Sequence, residues 1–188
     1  MLVRLLWEFA YMIRFRLPLI TLAVMGLAAS SASAGATGAT AKIVDAAGAE
    51  VGTASLTEGP SGVLVTVAAK GLTPGWHGMH LHEFGVCSAD GFKGAGAHMG
   101  HHPGAAHGLL STGGPEAGDL PNLYAGVDGT ATAEVYTEHV TLDPAKASAS
   151  RLLVKEGAVV IHAARDDQSS QPIGGSGARV ACGVIKLN

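Results

Sequence analysis

Charge is scarce in this chain. Only 14 % of its 188 residues are Asp, Glu, Lys or Arg, and no basic run stands among them. That argues against nucleic acid or an anionic membrane surface as the partner, since both demand a positive face. Long apolar runs are missing too. The longest, around Leu17–Leu27, falls short of the roughly 20 residues needed to span a bilayer. No segment shows the 3.6-residue periodicity of an amphipathic helix, and no internal repeat or second-domain linker appears. Cysteine occurs twice, as Cys87 and Cys182. Neither closely follows the N-terminal apolar run, which argues against a lipid-anchored lipoprotein.

That N-terminal run has its own reading. Arg4, Arg14 and Arg16 precede Leu17–Leu27, and small residues follow, ending in Ala32-Ser33-Ala34. A basic stretch, a short apolar stretch and an A-x-A site describe a secretory signal peptide, residues 1–34, cut after Ala34. Met12 could equally be the start, because Met12–Arg16 already supplies the basic stretch. The mature chain would be residues 35–188, one domain's worth. It carries nine Lys and Arg against fourteen Asp and Glu, a net charge of −5. The expected location is the periplasm or the medium, with no membrane contact after cleavage. In such a compartment two cysteines most simply mean one disulfide, with free thiols or intermolecular pairing as the alternatives.

What is abundant is glycine, 27 residues, and short alternating segments between turns. Ala41–Asp45, Val51–Thr57 and Val63–Ala69 alternate apolar and polar side chains, with Gly59-Pro60-Ser61-Gly62 as a turn. A fourth strand follows Gly71–Gly75. Asp128-Gly129 marks a hairpin between 122–127 and 130–140. Residues 158–163 and 179–187 complete eight strands. The fold expected is all-β, an eight-stranded antiparallel Greek-key sandwich or barrel. Two long polar loops, 88–121 and 165–178, interrupt it, and such stretches inside a compact domain are usually functional.

Histidine is the second surplus, nine in all. Gly78-Met79-His80-Leu81-His82-Glu83-Phe84-Gly85-Val86-Cys87 puts two of them two residues apart. On a strand, His80 and His82 share one face and Leu81 takes the other. The imidazoles would lie about 7 Å apart along the strand, close enough to close on one metal ion. His98, His101, His102 and His107 crowd the loop that follows. His77 falls on the opposite face from His80 and reads as structural, and His139 as a surface residue.

The stretch Gly78–Gly85 resembles the copper signature of the copper–zinc superoxide dismutases, and Gly177–Ile185 resembles their second signature. The resemblance covers nearly all of the mature chain. It implies copper ligands His80, His82, His98 and His162, with His98 bridging to zinc as an imidazolate. It also implies zinc ligands His107 and Asp119, and Asp166 joining a copper histidine to a zinc histidine. Arg179 matches the arginine beside the copper channel, and Cys87–Cys182 the intrachain disulfide.

One position departs from the family pattern. Three residues before Asp119, where a third zinc histidine is usual, stands Glu116. Three readings follow: Glu116 coordinates, His101 or His102 swings in instead, or the zinc site is weak or empty. The family implies dismutation of superoxide to dioxygen and hydrogen peroxide, with copper and zinc as cofactors. A copper-buffering module of the same fold is the alternative, and a purely structural secreted sandwich a third class. A homodimer is compatible with the sequence.

Overall fold

The computed structural model describes residues 37–188; the expected signal peptide lies outside them. Strands β1 (Gly38–Asp45), β2 (Glu50–Glu58) and β3 (Val63–Ala69) form an antiparallel meander. Their alternation is the cause. Ala39, Ala41 and Ile43 of β1, Ala54 and Leu56 of β2, and Val63, Val65 and Val67 of β3 are buried, while Lys42, Ser55 and Thr66 between them face out. Each fully buried valine or leucine contributes about 1.5–3 kcal/mol relative to exposure.

The chain continues through β4 (Gly75–His77), β5 (Met79–His82), β6 (Leu123–Ala125) and β7 (Ala131–Thr137). Beyond them come β8 (Val140–Thr141), β9 (Leu152–Leu153), β10 (Ala158–His162), β11 (Arg179–Val184) and β12 (Lys186–Leu187). Hydrogen bonding orders the main sheet β4-β6-β7-β3-β2-β1-β11-β10-β5, with β12 also on β1. The two ends of that order, β4 and β5, are consecutive in the chain and separated only by Gly78. One stretch thus belongs to both ends of the sheet and brings the barrel to near closure. Joining β4 to β5 and β11 to β12, and setting aside the parallel pair β8–β9, leaves the eight Greek-key strands expected. The hairpin strands around Asp128-Gly129 are shorter than their sequence limits, ending at Ala125 and starting at Ala131.

Gly78 has little room for a side chain. A Cβ there would come within 2.7 Å of Ser176 Cβ. Its N–H donates to Ala164 O, and its carbonyl accepts from the His162 N–H, both at 2.8 Å. The crossing between sheet ends is therefore fastened to the strand that carries His162.

Strand β10 is buried on both faces, which explains its unbroken apolar run. Val159 and Ile161 enter the barrel core with Met79 and Leu81. Ala158 and Val160 pack outward against Phe92, Ala95 and Cys182, beneath the first loop. Cys87 and Cys182 form a disulfide with Cα atoms 5.6 Å apart. It ties that loop to β11.

Candidate metal centre

The free edge of β5 organises the site. Leu81 N–H donates to Gly118 O at 2.8 Å, and Met99 N–H donates to Leu81 O at 2.8 Å. Glu83 N–H reaches Ala97 O at 3.1 Å. These backbone bonds lay both ends of the 88–121 loop along the strand, so His82 sits opposite His98 and His80 opposite Asp119. Loop histidines gain the register of a strand. Met79 and Leu81 point into the core while His80 and His82 point out under the loops, their ring centroids 6.4 Å apart.

Four buried imidazoles then converge. The His80 Nε2–H donates to Asp166 Oδ2 at 2.8 Å. The His82 Nδ1–H donates to Gly96 O at 3.0 Å, and the His162 Nδ1–H to Gly177 O at 3.0 Å. Nδ1 of His98 lies 3.0 Å from Asp119 Oδ1. Each ring is thus held through one nitrogen. The other nitrogens, His80 Nδ1 and Nε2 of His82, His98 and His162, are buried without a hydrogen-bond partner. Donor atoms of these four residues all lie within 4.8 Å of one another. An unpaired buried nitrogen costs free energy unless something binds it, and four aimed together fit a single ion. Imidazole sets of this kind suit copper(II).

Burial pushes three of these imidazoles down, His80 to about 4, His82 to about 2 and His162 to about 3. Neighbouring imidazole charge adds to the effect in all three, and Arg179 adds to it at His82 and His162. Their lone pairs are free for a metal at neutral pH.

A second cluster shares His80 and His98. Donor atoms of His80, His98, His107 and Asp119 also lie within 4.8 Å of one another. His107 Nδ1 is 2.9 Å from Asp119 Oδ1. The remaining Asp119 oxygen accepts from Gly108 N–H at 2.7 Å and Glu116 N–H at 3.0 Å. Glu116 falls outside that group of four, yet its Oε2 lies 3.0 Å from His98 Nδ1. Imidazole and carboxylate donors of this kind suit zinc. Burial opposes protonation of His107, but hydrogen bonds to Asp119 and Asp166 outweigh it and raise the group to about 10. Burial likewise disfavours the ionised forms of Asp119 and Asp166, while hydrogen bonds from the same imidazoles hold both well below the usual carboxylate range.

Asp166 joins the two clusters. It accepts from His80 Nε2–H through Oδ2 and from His107 Nε2–H through Oδ1, the latter at 3.1 Å. Its backbone is clasped by Asn122, whose side-chain oxygen accepts from Asp166 N–H and whose amide donates to Asp166 O, both at 2.8 Å. Gln171 makes the same reciprocal clasp on the backbone of His107. Neither Asn122 nor Gln171 carries a recognisable sequence signal, being polar loop residues among many. Gly174 lies against Asp166 with φ +61, where an added Cβ would collide with the carboxylate.

Arg179 is half-buried at the rim. Its guanidinium donates to Phe92 O at 2.6 Å and to Gly96 O at 2.5 Å. Gly96 O therefore holds both Arg179 and His82. Of the remaining histidines, His77 is buried with Nδ1 2.6 Å from His162 O and Nε2 2.7 Å from Thr73 O, a structural placement. Neither His101 nor His102 belongs to either group of converging donor atoms. His101 bonds Glu116 Oε1, and His102 bonds Pro103 O.

Comparison with known proteins bears on this geometry. The pattern defining copper/zinc superoxide dismutase (SODC) matches residues 50–185. A superoxide dismutase [Cu-Zn] of Caulobacter vibrioides is 48 % identical over 148 residues, covering 79 % of this chain and 85 % of that protein. One of Aquifex aeolicus is 42 % identical, covering 78 % and 85 %. Among solved structures, the Cu/Zn superoxide dismutase from Brucella abortus superposes with TM-score 0.61 at 35 % identity, covering 79 % of this chain and 99 % of that one. A SOD-like protein from Bacillus subtilis gives TM-score 0.71 at 31 % identity, with coverage of 79 % and 99 %. The chain belongs to the copper/zinc superoxide dismutase family.

Proposed function

We propose that the protein is an exported enzyme that converts two superoxide ions and two protons into dioxygen and hydrogen peroxide. Copper would be held by His80, His82, His98 and His162. Zinc would be held by His98, His107 and Asp119, with Glu116 as the fourth ligand. The observation that carries this reading is the convergence of four buried imidazole nitrogens that have no partner in the protein. Copper supplies one-electron exchange with superoxide, and zinc supplies fixed positive charge beside it.

The chain's own residues do the rest. Gly96 O, Gly177 O and Asp166 fix the tautomers of His82, His162 and His80, so that each presents a lone pair in one direction. His98 Nε2, the unpartnered nitrogen of that ring, would be the chain's own proton store, holding one of the two protons that reach the peroxide while water supplies the other. Arg179 offers a positive charge at the rim, anchored by two carbonyls, that attracts an anionic substrate into a net acidic protein. A copper-storage module has no use for that charge, which favours catalysis over buffering.

Export follows from the signal-like residues 1–34, with 35–188 as the mature domain in the periplasm or outside the cell. The Cys87–Cys182 disulfide suits an oxidising compartment. No helix among the described residues is long and apolar enough to cross a membrane. The test is superoxide removal by copper- and zinc-loaded protein beside a His82→Ala variant with the same fold. Loss of activity in the variant is expected. Equal activity in both would remove the basis for the copper assignment.

A further inference from the structure

Glu116 is buried, and an imidazole meets each of its carboxylate oxygens. Oε2 lies 3.0 Å from His98 Nδ1 and Oε1 lies 2.5 Å from His101 Nδ1. A carboxylate only accepts, so His101 Nδ1 carries its hydrogen and donates it. The main chain sets up this arrangement. His101 N–H donates to His98 O at 3.0 Å, closing a turn that carries two imidazoles three residues apart to opposite oxygens of one carboxylate. The backbone of Glu116 is fixed separately, its N–H on Asp119 Oδ2 and its carbonyl accepting from Asp119 N–H, both at 3.0 Å.

We propose that His101 is a positioning residue of the zinc site, holding Glu116 Oε1 so that Oε2 stays aimed beside His98. The inference rests on the reading of Glu116 as a zinc ligand. A glutamate side chain has three rotatable bonds and would otherwise sample several rotamers, whereas an imidazole ligand has two. Substituting a carboxylate for a ring at this position therefore calls for an outer partner. His101 supplies it from a half-exposed position at the rim. The arrangement inverts that of Asp166, where a buried carboxylate orients two ligand imidazoles. Here an imidazole orients a ligand carboxylate. His102, one residue on, takes no part, since its Nδ1 is directed to Pro103 O.

The test uses the full, disulfide-bonded protein and reads zinc affinity by chelator competition, together with the visible absorption of cobalt(II) in the same site. His101→Ala should lower zinc affinity between about 10-fold and 100-fold, the range for outer partners of metal ligands, and should alter the cobalt spectrum. His101→Asn, whose amide nitrogen reproduces the Nδ1 donor, should restore most of both. In a Glu116→His background, His101→Ala should change neither. Zinc affinity within twofold of the parent for His101→Ala would overturn the proposal, as would an equal loss in the Glu116→His background. Glu116→Ala separates the two levels. If it leaves affinity unchanged, the ligand reading of Glu116 falls and the role of His101 with it. If Glu116→Ala weakens binding and His101→Ala does not, only the role of His101 falls. Because His101 is half-exposed, its replacement leaves the barrel core intact.

Discussion

Replacing Asp166 by Asn isolates the link between the two metal positions. The carboxylate accepts three N–H groups: His80 Nε2–H at 2.8 Å, His107 Nε2–H at 3.1 Å and Gln168 N–H at 2.7 Å. An amide offers one accepting oxygen, and its NH2 must then face a donor. At least one imidazole N–H loses its partner in a site with no solvent exposure, a cost of about 1–3 kcal/mol. The loop itself should survive, because the Asn122 clasp acts on the backbone of residue 166 and not on its side chain. The penalty therefore falls on ligand orientation, which corresponds to about 10- to 100-fold in metal affinity. Asp166 is the one side-chain fastening of both His80 and His107 beyond their metal-facing nitrogens, so the affinities for copper and for zinc should both fall. Chelator competition gives the zinc affinity, and the paramagnetic resonance spectrum of copper(II) reports any reorientation of His80. Zinc affinity within twofold of the parent would refute the bridging role.

Zinc binding should release about one proton near pH 8, because the His107 nitrogen it takes is protonated up to about pH 10 in the metal-free protein. Calorimetry in buffers of different ionisation heat measures this, and no buffer dependence would contradict it. In that metal-free form the raised His107 contributes stability that is full below its unfolded value near 6.5 and lost as pH rises through about 10. His80, lowered to about 4, acts oppositely, its stability contribution declining as pH falls from 6.5 toward about 4. Urea midpoints of chelator-treated protein should fall on both sides of pH 6.5; a midpoint still rising toward pH 9 or toward pH 4 would oppose these assignments. Cys87→Ser with Cys182→Ser should cost up to about 4–5 kcal/mol by the chain-entropy relation for a closed loop of this size, 95 residues of separation. Urea unfolding tests it, and an unchanged midpoint would mean the bond constrains nothing. Arg179→Glu should lower kcat/KM for superoxide by about tenfold or more and reverse its dependence on ionic strength. Unchanged kinetics would remove Arg179 from the site.

The alternation that buries Ile43, Leu56 and Val65 is local, and so β1 to β3 are visible in the residues themselves. The same holds for the shared face of His80 and His82. The motif resemblance extends this to distant partners such as His162 and Asp166, which no local pattern connects to His80. Strands β8 and β9 left no trace, because two-residue strands in parallel pairing have too little alternation to register. The docking of the 88–121 loop along β5 was equally invisible. It runs through backbone groups that any residue carries, at Leu81, Met99 and Gly118. The Glu116–His101 contact spans fifteen residues across an irregular loop, and it turns a departure from the family pattern into a paired unit.

The most direct test of the central claim is the number of superoxide ions removed per copper. A pulse generates superoxide in large excess over the metal-loaded protein, and its decay is followed by ultraviolet absorbance. Catalysis by the His80, His82, His98 and His162 site gives first-order decay proportional to protein concentration, through many turnovers per copper. Consumption that stops after about one superoxide per copper would show a binding module in a dismutase fold and contradict the proposed function.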